Sequence, residues 1–184
     1  MNKLKIVKGD VFASIPPNND KKILIPHCVN DIGAWGSGFV LAINKFSMKP
    51  KEEYVNWNDY NSCGSMYNDT ICSDSDRKFY LGACQIVNCD NNVYVANMVG
   101  QHETVRTNSK PVRYWALAEA MRYIARKHLM SKHVNVCNSQ CMPIDEIRTV
   151  RFGSGLAQGN AAFIEELMKE IWVDIGIPVT VYEL

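Results

Sequence analysis

Hydrophobic positions along the chain come in short runs broken by polar turns, and the runs alternate between two spacings. "LKIV" at 4–7 reads as a strand closed by Gly9 and Asp10, and "KILI" at 22–25 as a second, buried strand. Phe39 to Phe46 then reads as a helix and Pro50 to Tyr60 as another, with Pro50 near the first turn, where a missing N–H costs nothing. Residues 61–78 are polar and aperiodic, which predicts a surface excursion. "FYLGACQIV" and "VYVANMV", joined by the turn residues "NCDNN", predict a hairpin.

From Pro111 the spacing changes to three and four, and Tyr114, Leu117, Ala118, Met121, Ile124 and Ala125 share one helix face. "IRTVRF" is a further strand opening into "GSGLAQGN", whose Asn160 is placed to cap a helix with apolar face Ile164, Leu167, Met168 and Ile171. Gly176 and Pro178 end that helix, and "VTVYEL" is a last strand. The alternation predicts an α/β chain in three α/β/α layers around a mixed sheet, a single domain over 1–184, with a site where glycine turns leave the strands. No internal repeat appears.

The glycine turns are the first chemistry. "IPHCVNDIGAWGSGFV" at 26–41 packs Gly33, Gly36 and Gly38 into six positions between a strand and a helix. Glycine there either serves a tight turn or lets backbone N–H groups converge on an anion at a helix start. A second such turn, Gly153 to Gly155, also follows a strand and precedes a helix, and two cradles suit a diphosphate.

Composition narrows the partners. Lys and Arg number 20 against 19 Asp and Glu, for a net charge of +1, and they are scattered, which argues against a basic patch that grips nucleic acid. The N-terminal apolar run is too short for a signal peptide and nothing later would span a membrane, so a cytoplasmic protein is expected. Seven cysteines, an odd number, then read as free thiols. Cys137 and Cys141 with His133 do not have the spacing of a zinc finger or ribbon, and neither metal nor cofactor is expected.

Five segments in order, "VKGDVF", "HCVNDIGAWGSGF", "LGACQIV", "RFGSGLAQGN" and "VTVYEL", resemble the macrodomain family over nearly the whole chain apart from 61–78. With His27, Asn30 and Trp35, "ILIPHCVNDIGAWGSG" is most similar to the ADP-ribose 1″-phosphate phosphatase branch and its small bacterial and phage relatives. The resemblance implies that Asp10, flanked by Gly9 and Val11, accepts a hydrogen bond from the adenine amine. Ala34, Trp35, Gly36, Ser37, Gly38 and Phe39 would wrap one phosphate and the distal ribose. Gly153, Ser154, Gly155 and Leu156 would face the diphosphate, with Phe152 near the adenine or in the core.

Asn30 would lie by the distal ribose hydroxyls, where its amide can donate and accept. His27 is either an acid or base or a buried structural histidine, and Asp31 either orients a water or is a solvated loop residue. Hydrolases of a related branch bring a lysine to the site near "NMVGQHE", where this chain has Gln101, and an aspartate where it has Ala157. Lysine-mediated covalent chemistry is therefore not expected, and His102 remains a second catalytic or positioning candidate. The resemblance implies a monomer that removes the terminal phosphate of ADP-ribose 1″-phosphate. The alternatives are a hydrolase freeing ADP-ribose from protein or nucleic acid, or a module that only binds ADP-ribose.

Overall fold

The computed structural model describes residues 4–62, 78–104, 109–132 and 142–183. Its strands are β1 (Leu4–Lys8), β2 (Ile23–Asn30), β3 (Cys84–Asn88), β4 (Val93–Gln101), β5 (Glu146–Val150) and β6 (Val179–Glu183). Helices α1 (Val40–Phe46) and α2 (Lys49–Ser62) follow β2, α3 (Tyr114–Ser131) follows β4, and α4 (Ala161–Met168) runs into a π-helical turn, Lys169–Val173. The strand order is β1-β6-β5-β2-β4-β3, parallel except for the edge strand β3. The predicted α/β fold around a mixed sheet is what the chain adopts.

Alternation along β2 fills both faces of the sheet. Ile23 and Ile25 point with Val93 and Val95 toward Ile43 of α1, and Val29 and Val99 pack with Tyr54 and Trp57 of α2. Leu24 points the other way, joining Ala96 and Met98 under Leu117, Met121 and Ile124 of α3 and Ile164 and Met168 of α4. A strand buried on both faces is expected at the centre of a parallel sheet, and β2 sits there between β5 and β4.

The predicted hairpin is β3 and β4, joined through left-handed Asp90, Asn91 and Asn92. Three expectations are corrected. The second strand runs to Asn30 rather than stopping at Ile25, because its later polar residues are buried with partners. Phe79–Ala83 is not strand but a turn, with the Gly82 amide donating to the Val99 carbonyl at 2.8 Å. In the last helix the wider π turn carries Trp172 fully into the core, and Ile171 is only partly buried. Most of the excursion, 63–77, and the residues His133, Cys137 and Cys141 lie outside the described residues. No helix among the described residues is long and apolar enough to cross a membrane.

Asn160 caps α4 as predicted, its Oδ1 accepting the Phe163 amide at 3.1 Å. Trp172 donates its indole N–H to the Met121 carbonyl at 3.0 Å. Denaturant unfolding should show Asn160→Ala losing about 1 kcal/mol. Trp172→Ala should lose about 3–5 kcal/mol. Equal losses would mean that the cap, not the core, anchors this helix.

Candidate functional site

The cleft lies at the C-terminal ends of β2, β4 and β5, walled by the loop before α1 and the loop before α4, with a volume of about 320 Å³. Gly36, Ser37, Gly38 and Phe39 line one side, and Gly153, Gly155 and Leu156 the other. Among the described residues, the backbone amides of Gly36, Ser37, Gly38 and Phe39 and of Gly153, Ser154, Gly155 and Leu156 donate to no protein acceptor. Gly36, Ser37, Gly38, Gly155 and Leu156 are exposed, so their amides meet solvent, and two runs of such donors on opposite walls of one cleft suit an anion.

Gly38 holds φ +76°, which any side chain would strain, and a Cβ there would stand 3.5 Å from Leu156 across the cleft. Gly36 and Gly155 differ. Neither has a positive φ, and a Cβ on either would meet nothing within 4 Å. Nothing inside the chain requires glycine at these two positions, whereas a ligand lying against the amides would.

Asn30 ends β2 where the register with β4 shifts, pairing with Gln101 instead of Gly100, and such a bulge re-aims side chains beside a site. Its Oδ1 accepts from the Ala34 amide at 2.9 Å and the Ile32 amide at 3.2 Å, and its Nδ2 donates to the Ala34 carbonyl at 2.6 Å. The buried Tyr54 hydroxyl donates to the Asn30 carbonyl at 2.6 Å and lies 3.0 Å from Oδ1. Burial pushes the Tyr54 phenol above its ordinary pKa, which keeps it a donor. Both ends of the Asn30 amide thus hold the loop, and the residue lines the cleft.

His27 is 1% exposed, below the cleft between Trp35 and Phe39, at ring distances of 5.4 and 6.1 Å. Its Nε2 lies 2.6 Å from Asn97 Oδ1. The Asn97 amide donates in turn to the Pro50 carbonyl and Gln85 Oε1, both at 3.0 Å, so Nε2 carries the proton. Burial lowers the pKa to about 4, with the Asn97 bond a smaller opposing effect. His27 lines the cleft floor and is neutral near pH 7, which leaves it available as a hydrogen-bonding group there.

Asp31 and His102 meet across the β2 and β4 ends. Asp31 Oδ2 lies 2.7 Å from His102 Nδ1, and Oδ1 accepts the Glu103 amide at 2.8 Å. With Nδ1–H donating to the carboxylate, Nε2 keeps its lone pair. His102 stands on the rim, next to Gln101, which does line the cleft. Cys28 is also in the wall, but burial pushes its thiol up to about 12, so it is no nucleophile at neutral pH.

Of the remaining residues Phe152 lines the cleft, while Gly9, Asp10, Val11, Trp35 and Ser154 fall outside the lining. Asp10 Oδ1 accepts the Phe12 amide at 2.8 Å, shaping a turn, while Val11 is buried beneath it. The Gly9 amide donates to the Glu183 carbonyl at 2.8 Å, and Glu183 Oε1 holds Arg151 at 2.7 Å. Arg151 lines the cleft, so the Asp10 turn adjoins that wall. Trp35 donates to Asn44 Oδ1 at 2.9 Å, Ser154 Oγ donates to the Arg151 carbonyl at 2.8 Å, and Phe152 is buried against Trp172. Sequence reasoning missed Arg151 and Thr104; the only signal for Arg151 was a charge at a strand end just before a glycine loop. Among the described residues no group of His, Cys, Asp and Glu side chains could hold a metal.

No protein-family model matches the chain. Of solved structures, a protein of unknown function from Bacteroides thetaiotaomicron is 33% identical with a TM-score of 0.76, covering 100% of this chain and 99% of that one. A macrodomain protein from Streptomyces coelicolor is 29% identical with a TM-score of 0.70, covering 99% of each chain. Among curated proteins, the ADP-ribose 1″-phosphate phosphatase of Candida albicans is 30% identical over 81 residues, 44% of this chain and 50% of that protein. The match therefore spans half the length of that relative. The chain has the macrodomain fold and is similar in sequence to macrodomain proteins.

The environment of His27 has a pH consequence. Between about pH 6.5 and 4 the unfolded chain protonates this residue and the folded one does not, so stability falls as pH drops through that window. The full shift corresponds to about 3 kcal/mol. Unfolding midpoints across pH should fall less steeply in His27→Gln than in wild type; parallel curves would contradict the neutral assignment.

Proposed function

We propose that the cleft binds ADP-ribose and that the chain removes the terminal phosphate of ADP-ribose 1″-phosphate. The two facing runs of unpaired amides carry this reading, since a diphosphate offers acceptors to both. Asp10 stands at the adenosine end, with Oδ2 available to the exocyclic amine while Oδ1 holds the turn. Asn30, Gln101 and Thr104 stand at the distal ribose end, and the name of the Candida relative, matched over half its length, supports the choice of substrate.

The reaction is a hydrolysis. His102 Nε2, aimed by Asp31, takes a proton from water as the water oxygen bonds to phosphorus. The bond from phosphorus to the 1″ oxygen breaks, that oxygen regains a proton, and ADP-ribose and inorganic phosphate leave. Gln101 can position the substrate but exchanges no proton. Cys28, Cys84 and Cys89 form no disulfide, which suits a reducing cytoplasm, and we take the working unit to be a monomer.

Calorimetry should detect ADP-ribose binding to the wild type, and Gly38→Val should abolish it, because the new side chain strains the loop and intrudes on the cleft. Asp10→Asn keeps the turn oxygen and replaces the other by a donor, so affinity should drop about tenfold with an unchanged melting temperature. No binding by folded wild type would overturn the ligand.

Turnover is tested by incubation with ADP-ribose 1″-phosphate and, separately, with ADP-ribosylated protein and DNA. Phosphate release should fall about 10²- to 10⁴-fold in His102→Ala, with ADP-ribose affinity nearly kept. Release of ADP-ribose from protein or DNA without phosphatase activity would make the chain an ADP-ribosyl hydrolase. Binding without either would make it a reader.

A further inference from the structure

A second groove, of about 130 Å³, lies between the turn before β3 and the outer face of α3. Tyr80 and Gly82 form one wall, and Trp115, Glu119, Tyr123 and Arg126 the other. The helix residues recur at spacings of three and four, so they share a single face. The two walls meet closely: a Cβ on Gly82 would stand 3.3 Å from Glu119 Cβ and 3.6 Å from the Trp115 ring.

Two features of this groove serve no purpose in the fold. Trp115 is 59% exposed and Tyr80 51%, although a large aromatic ring gains most by burial. Arg126 is exposed and has no hydrogen bond or ion pair among the described residues, whereas Arg122 is tied to Glu119 at 2.8 Å. The surrounding charge is mainly positive. Along α3, Arg122, Arg126 and Lys127 face a single acid, Glu119, and Lys110 and Arg113 precede the helix.

We propose that this groove binds single-stranded nucleic acid, with bases stacked on Trp115 and Tyr80 and Arg126 on the backbone. Flat aromatic faces accept any base, and a basic helix beside them neutralises phosphates, which is the combination that single-strand binders use. An acidic peptide would satisfy the charge but leave the exposed rings unused. The groove also lies at the cleft's end of the sheet: the Gly82 amide pairs with Val99, two residues before Gln101 of the cleft wall. The inference does not depend on what the cleft holds.

The test is fluorescence anisotropy with a labelled oligothymidylate at low salt, beside calorimetry with ADP-ribose. Binding should weaken as salt rises, and Trp115→Ala and Arg126→Glu should each weaken it by about tenfold, the scale of one lost stacked base. Both residues are exposed and outside the cleft, so ADP-ribose affinity should stay within about twofold if the first reading holds. No binding of the oligonucleotide would overturn the proposal. So would equal binding of a duplex, equal binding of oligoglutamate, or binding that ignores both substitutions. Loss of ADP-ribose binding in wild type would count against the cleft reading alone.

Discussion

A backbone N–H that donates to nothing is tolerated only where water or a ligand reaches it, and two loops of this chain are built around that constraint. The Asn30 side chain supplies the partners that Ile32 and Ala34 would otherwise lack. That concentrates the unpaired donors in Gly36 to Phe39, on the cleft side. The second loop closes on itself, with the Gly159 amide on the Gly153 carbonyl at 2.8 Å, and leaves Gly153 to Leu156 open. Each loop satisfies its supports and withholds its centre. The sheet holds the two centres face to face.

The support is a layered polar network inside an apolar strand. Tyr54 fixes Asn30, Asn97 fixes His27, and the Thr149 hydroxyl donates to the Pro26 carbonyl at 2.7 Å. Buried polar groups stay inside at little cost only when each has a partner, and these are partnered by residues from α2, β4 and β5. The strand thus delivers Asn30 to the cleft floor with little freedom, and the loop geometry follows from it.

Legibility in the sequence tracked how local the cause was. Glycine turns, the Asn160 cap and the amphipathic α3 are written in neighbouring residues, and each was read correctly. The end of β2 was not, because "PHCVN" looks polar and its burial depends on Asn97 and Thr149, far along the chain. The Asp31 and His102 pairing was equally hidden, since 71 positions separate them and only the β2–β4 register brings them together. Charges that look scattered in the chain gather once α3 turns Arg122 and Arg126 to one side. Trp172 was missed because a π turn breaks the 3.6-residue period.

The pairing of β1 with β6 joins two segments far apart in the chain. Leu4 aligns with Val179, and among the described residues β1 is hydrogen-bonded to β6 alone. Contacts of such sequence separation require closing a long loop before they reward the chain. The Gly9 amide on the Glu183 carbonyl carries the same pairing up to the Asp10 turn, so that turn depends on the longest loop closure in the sheet, whereas the glycine loop after β2 depends on neighbouring residues.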